Sequence, residues 1–160
     1  MSELDIGAPQ GIAAWREPHV DEVEAALARV SGLDLARIRP ELMSKLGWSA
    51  ALCDIVEDRY RKFLALMLLY PNRPLAPTTF IDEFWHAHIL DTRAYHRDCD
   101  RLFGSYLHHR PSYIVDSPER WDALSEGFAV TVELYRVHFK IDPWTEQEKS
   151  QYDPPLCIVD

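Results

Sequence analysis

The sequence predicts an all-α fold, a single compact bundle of five to six helices. Apolar residues recur at three- and four-residue steps in several segments, and no alternating strand pattern of useful length occurs. The chain has 160 residues, of which 47% are hydrophobic and 27% charged, as expected for one globular domain. We expect an irregular N-terminal arm over residues 1–17, a helical domain over 18–142, and a Pro-rich C-terminal segment with a short helix over 143–160.

Three helices are predicted in the first half of the chain. The first runs from Pro18 to a stop at Gly32. The second lies within residues 34–47, where Pro40 either kinks it or marks its true start. The third begins at a Ser49 cap and becomes apolar on every side towards its end, a pattern typical of a helix that passes through the middle of a core.

The second half of the chain predicts the remaining helices. A fourth segment begins near Thr78 and runs towards Gly104, and a loop follows over residues 106–116. Serine, proline and an acid at positions 117–119 predict the start of a fifth helix. A capping box at residues 145–148 predicts the short C-terminal helix. The expected core draws on helices three to five: Phe63, Leu64, Met67, Phe84, Trp85, Trp121 and Phe128.

Charge and cysteine content exclude several classes of partner. The chain carries 17 Lys and Arg against 26 Asp and Glu, so its surface repels phosphate backbones and generic nucleic-acid binding is not expected. No secretory signal is recognisable, and the longest apolar run is far shorter than the ~20 residues of a membrane helix, so no membrane association is expected. The three cysteines, Cys53, Cys99 and Cys157, are widely separated, which favours free thiols and a cytoplasmic location.

Histidine is concentrated in one stretch of the chain. Five of the seven histidines lie between positions 86 and 109. His86 and His88 cannot chelate one ion from an unbroken helix, because residues two apart point away from each other. A shared site therefore requires a helix break, which we place at Asp91, and a loop after Gly104 that folds His108 or His109 back.

The same stretch resembles a known family. Asp82-Glu83-Phe84-Trp85-His86-Ala87-His88-Ile89-Leu90-Asp91, followed by Tyr95, Asp98-Cys99, Gly104 and His108-His109, is similar to the glycine-rich domain-containing-protein-like family over about positions 50–112. The resemblance implies a core domain without a settled activity, whose plant members carry glycine-rich tracts and are discussed in stress and RNA-related roles. This chain has only six glycines and an acidic balance, and it has Thr92 where relatives often have proline.

Two functions remain open at this point. Imidazole and thiolate donors together favour zinc, and they predict a metal site formed by a subset of His86, His88, Cys99 and His108, with Asp82 orienting a ligand. The alternative is a non-catalytic module for a protein or peptide partner, in which the histidines and aromatics are structural. His88, on the aromatic face, would then be a hydrogen-bonded core residue with Thr92 and Tyr95 as partners. Neither interpretation predicts catalytic residues.

Overall fold

Helices are the regular elements of residues 15–110 and 117–151, the parts of the chain that the computed structural model describes. The described ranges contain no strand, so the all-α prediction is confirmed. The predicted arm up to residue 14, the loop at 111–116, and the tail from residue 152, with Cys157, lie outside the described residues. The helices are α1 (Val20–Ser31), α2 (Arg39–Leu46), α3 (Ala50–Leu69), α4 (Thr79–Leu90), α5 (Thr92–Phe103), α6 (Pro118–Phe139) and α7 (Glu146–Gln151).

Side-chain caps begin three of the helices, and those at Ser49 and Ser117 are the predicted ones. Ser49 Oγ accepts a hydrogen bond from the Leu52 amide at 3.1 Å, and the hydroxyl oxygens of Thr78 and Ser117 accept equivalent bonds at the starts of α4 and α6. Pro40 lies in the first turn of α2, after a short 3-10 turn, so it marks the start of the helix rather than a kink. None of the described helices is long and apolar enough to cross a membrane.

Helix α3 is the central element of the fold. It packs against α1, α2 and α4, and its Val56, Tyr60 and Phe63 side chains are fully buried. Leu64, Ala65 and Leu66 are also buried, which confirms that the all-apolar end of this helix passes through the core. The removal of this apolar surface from water is the main favourable contribution to folding.

The break at Asp91 is confirmed. Helix α4 ends at Leu90, Asp91 takes a non-helical conformation with φ −79° and ψ 68°, and α5 begins at Thr92. The Asp91 side chain makes no capping hydrogen bond, and its carboxylate instead lies 3.6 Å from the Arg37 guanidinium. The break allows α5 to fold back beside α4.

A buried hydrogen-bonded group joins α3, α4 and α5. The Tyr60 hydroxyl lies 2.7 Å from His88 Nδ1, and His88 Nε2 lies 2.8 Å from Asp98 Oδ2. His88 is 3% exposed, and burial lowers its pKa, with the Asp98 carboxylate opposing that shift. Because a carboxylate can only accept, the neutral ring carries its proton on Nε2 and accepts from Tyr60 at Nδ1. His88 is thus a hydrogen-bonded core residue, although its partners are Tyr60 and Asp98 rather than Thr92 and Tyr95.

Helix α7 closes the fold against the start of α4. The predicted capping box is present, since the Glu148 amide donates to Thr145 Oγ1 at 3.0 Å and Glu148 Oε2 accepts from the Thr145 amide at 3.3 Å. The second oxygen, Glu148 Oε1, accepts from the Phe80 amide at 2.9 Å. One buried carboxylate therefore holds the first turns of both helices.

The predicted core is buried in α3 and α4 except for Met67, and α6 contributes less to it than predicted. Phe63, Leu64, Phe84 and Trp85 are buried, and Met67 and Phe128 are partly buried. Trp121, predicted to lie in the core, is 47% exposed.

Small and polar residues explain the orientation of α6. A Cβ atom on Gly127 would lie 3.1 Å from the Pro74 carbonyl oxygen, so only glycine permits this approach without a shift of the neighbouring chain. One turn later, Thr131 Oγ1 accepts from the Ala76 amide at 3.0 Å. These contacts turn the Gly127–Thr131 side of α6 inward.

Replacement of His88 by alanine should destabilise the protein by about 1–3 kcal/mol, because it creates a cavity and leaves the Tyr60 hydroxyl and the Asp98 carboxylate without their partner. Urea unfolding of the wild type and His88→Ala measures this difference. His96→Ala is the control, because that histidine is exposed, and its stability should lie within about 0.5 kcal/mol of the wild type. Equal midpoints for His88→Ala and the wild type would contradict the structural role of His88.

The stability should also fall as the pH drops below about 6.5, the ordinary pKa of histidine. The folded pKa of His88 is lowered, so in this range the unfolded chain binds more protons and acidification favours unfolding. His138, whose pKa burial also lowers, acts in the same direction, whereas Glu148, whose pKa burial raises, acts in the opposite direction below neutrality.

The His88→Gln variant separates the contribution of His88 from the others, because the same His138 and Glu148 remain in both proteins. Unfolding midpoints at pH 7.5 and 5.5 should differ less in His88→Gln than in the wild type. An identical pH dependence would show that His88 is not held neutral by the fold.

Candidate metal centre

Two potential ligands lie one turn apart on α4. Asp82 and His86 occupy positions i and i+4, and Asp82 Oδ2 is 3.2 Å from His86 Nε2. Asp82 lies in the first turn of the helix, where the partial positive charge of the helix end favours a carboxylate. The pair predicted from the spacing is therefore present.

The third potential ligand comes from the segment after α5. Gly104 ends α5 in the left-handed conformation, with φ 69°, and the chain returns towards α4. The His109 ring stacks on the Trp85 indole, with centroids 4.2 Å apart and planes inclined by 20°, and its side chain is 8% exposed. This stack places His109 Nε2 at 2.6 Å from His86 Nε2 and 2.9 Å from Asp82 Oδ1.

Asp82, His86 and His109 thus form one cluster of nitrogen and oxygen donors. Within the described residues, no other group of three His, Cys, Asp or Glu side chains brings its donor atoms within 4.8 Å of one another. Ligand atoms at about 2.0–2.2 Å from a tetrahedral zinc ion lie about 3.3–3.6 Å apart. The donors here are 2.6–3.2 Å apart, so the two imidazole nitrogens would separate by about 0.7–1.0 Å to hold an ion, and the carboxylate oxygens by less.

One oxygen of the cluster has no hydrogen bond. Asp82 Oδ1 is fully buried, and although His109 Nε2 is within ion-pair distance, the two atoms lack the alignment of a hydrogen bond. A buried carboxylate oxygen without a donor is energetically costly. Its free lone pairs fit a cation at this position.

A second set of hydrogen bonds supports the cluster from behind. Trp85 Nε1 donates to the Tyr95 hydroxyl oxygen at 3.0 Å, and that hydroxyl donates to the Leu107 carbonyl at 2.5 Å. Trp85 also packs on Phe63, with centroids 5.5 Å apart, so the platform under His109 belongs to the central core.

The structure separates the four ligands predicted from the sequence. Only His86 belongs to the donor cluster. Both ring nitrogens of His88 are already bonded, to Tyr60 and Asp98. Cys99 is 2% exposed, and burial raises the pKa of its thiol, which disfavours the thiolate that a metal requires. His108 is exposed, with its ring 4.8 Å from that of Tyr106.

For two residues of the cluster, the predicted role differs from the observed one. The sequence predicts that Asp82 orients a ligand, whereas in the structure its carboxylate faces both histidines directly. The sequence left open whether His108 or His109 folds back towards α4. In the structure it is His109. The i, i+4 spacing of Asp82 and His86 predicts that these two side chains lie together. The sequence gives no such signal for His108 and His109, because the direction of each side chain depends on the backbone after Gly104.

Comparisons with known proteins identify a different family from the one that the sequence resembles. No curated protein and no solved structure matches the chain. A family model described as UCP032817-like matches residues 34–146, which include α2 to α6 and the whole donor cluster. The resemblance to the glycine-rich domain-containing-protein-like family is therefore wrong, although the stretch that suggested it lies inside the matched range. The chain belongs to the UCP032817-like family.

Proposed function

We propose that the protein binds a zinc-like divalent metal ion through Asp82, His86 and His109. The convergence of two imidazole nitrogens and one carboxylate within 2.6–3.2 Å carries this proposal. The group joins an α-helix to a returning loop, and the Trp85 stack holds the loop ligand in place.

An ion satisfies this cluster better than hydrogen bonds alone. The two Nε2 atoms face each other, so at most one of two neutral rings can donate along that line, and the buried Asp82 Oδ1 still has no donor. A divalent ion accepts lone pairs from all three groups at once and offsets the carboxylate charge. The ring protons are then on the Nδ1 atoms.

The donor set favours zinc and leaves room for a further ligand. Two imidazoles and one carboxylate suit zinc, and other imidazole-binding ions such as iron, nickel and copper are competitors. Structural zinc sites have four protein ligands, whereas sites with three keep a position for water or substrate. The His86 side chain is 37% exposed, so solvent reaches this side of the cluster. The arrangement is therefore compatible with Lewis-acid chemistry on a ligand that arrives from solvent.

Zinc should raise the melting temperature of protein purified without a His-tag. A ligand that binds only the folded state at a free concentration of 100 Kd stabilises it by about 2.7 kcal/mol. For a domain of this size, that corresponds to a rise of roughly 5–10 °C. His86→Ala and His109→Ala should each lose most of this rise, measured by differential scanning fluorimetry and confirmed by calorimetric titration.

The matched control is His108→Ala, because it removes an exposed imidazole next to His109 and leaves the donor cluster intact. It should retain the wild-type shift. Loss of the shift in His108→Ala but not in His109→Ala would contradict the assignment of ligands. The absence of any zinc-dependent shift in the wild type would refute metal binding and favour the interaction-module function.

A further inference from the structure

The ligands of the donor cluster lie on two separate pieces of chain. Asp82 and His86 belong to α4, whereas His109 follows Gly104 in a segment without regular structure. The position of His109 therefore depends on what holds residues 105–110 against α4. An ion held at such a site gains affinity when its ligands are already in place before it binds.

Tyr95 contacts both pieces through one oxygen atom. Its hydroxyl accepts a hydrogen bond from Trp85 Nε1 at 3.0 Å and donates one to the Leu107 carbonyl at 2.5 Å. Trp85 precedes His86 and stacks on His109, and Leu107 lies two residues before His109. The hydroxyl thus connects the helix that carries two ligands to the segment that carries the third.

The Tyr95 ring is enclosed by its neighbours. The side chain is 1% exposed, and its ring meets those of His88 and Tyr106 edge to face, with centroids 4.9 and 5.3 Å apart. Burial raises the pKa of the hydroxyl well above its ordinary value, so it remains a donor throughout the accessible pH range.

We propose that Tyr95 is the positioning residue of the metal centre, and that its hydroxyl sets the metal affinity by docking the His109 segment on Trp85. This inference rests on the proposed metal binding. Tyr95 does not contact the ion; it acts through Leu107 and Trp85 on the orientation of His109. The same link works in reverse, because an ion bound to His109 strengthens the docking of residues 105–110.

The test is the Tyr95→Phe variant, which removes one oxygen and retains the ring. Trp85 Nε1 and the Leu107 carbonyl lose their shared partner, so His109 should leave its position more often. Calorimetric titration with zinc chloride, well below the melting temperature of each protein, should show a 10- to 100-fold larger Kd, the usual effect of removing a supporting group around a metal.

Tyr135→Phe is the matched control. The Tyr135 hydroxyl is equally buried and donates to a backbone carbonyl, that of Arg59, at the packing of α6 on α3. This variant also loses a buried hydrogen bond, but it should bind zinc with the wild-type Kd. An equal loss of affinity in both variants would show that general destabilisation is responsible, which would overturn the positioning role.

The position of His109 provides a readout without metal. Its ring protons lie over the Trp85 indole, so their NMR signals are shifted by the ring current, and Tyr95→Phe should move them towards free-histidine values while Tyr135→Phe should not. If the wild type binds zinc and Tyr95→Phe binds it equally well, the positioning role is wrong and the metal site stands. If the wild type binds no zinc, the proposed function fails, and the positioning role falls with it.

Discussion

The hydrogen bonds of His88 to Tyr60 and Asp98 determine how α4 and α5 lie on the central helix α3. The two bonds, 2.7 and 2.8 Å long, are buried in the middle of the fold and satisfy both nitrogens of the ring. A buried polar group is stabilising only when its partners are complete, so this contact permits one rotation of α4 about its axis and one approach of α5. The break at Asp91 is the backbone change that makes the approach possible.

The position of the donor cluster follows from that rotation. Residues two apart on a helix differ by about 200° in direction, so burial of His88 against α3 turns His86 towards the opposite side. Asp82, one turn earlier, lies on the same side as His86. The chain that leaves α5 returns over this side, and Trp85 provides the aromatic surface on which His109 settles. His88 therefore belongs to the core, and His86 belongs to the donor cluster.

Local signals predicted much of the fold. The caps at Ser49 and Ser117, the start of α4 near Thr78, the box at residues 145–148 and the apolar end of α3 are properties of short segments, and the structure contains each of them. Local signals could not predict the orientation of α6, because a tryptophan such as Trp121 is typical of a core and a glycine such as Gly127 is not. The close approach of Gly127 to the Pro74 carbonyl determines which side of α6 faces inward, and this contact joins distant parts of the chain. The choice between His108 and His109 has the same cause, since it depends on the path after Gly104 and on Trp85.

The proposed metal centre has two imidazoles and a carboxylate, without a thiolate, around one ion. X-ray absorption at the zinc edge of the zinc-loaded protein tests this directly, because zinc–sulfur bonds of about 2.3 Å are distinct from zinc–nitrogen and zinc–oxygen bonds of about 2.0–2.2 Å. We expect an inner shell of nitrogen and oxygen with the outer-shell scattering of two imidazole rings. A sulfur neighbour, or a shell without imidazole scattering, would show that these residues are not the ligands.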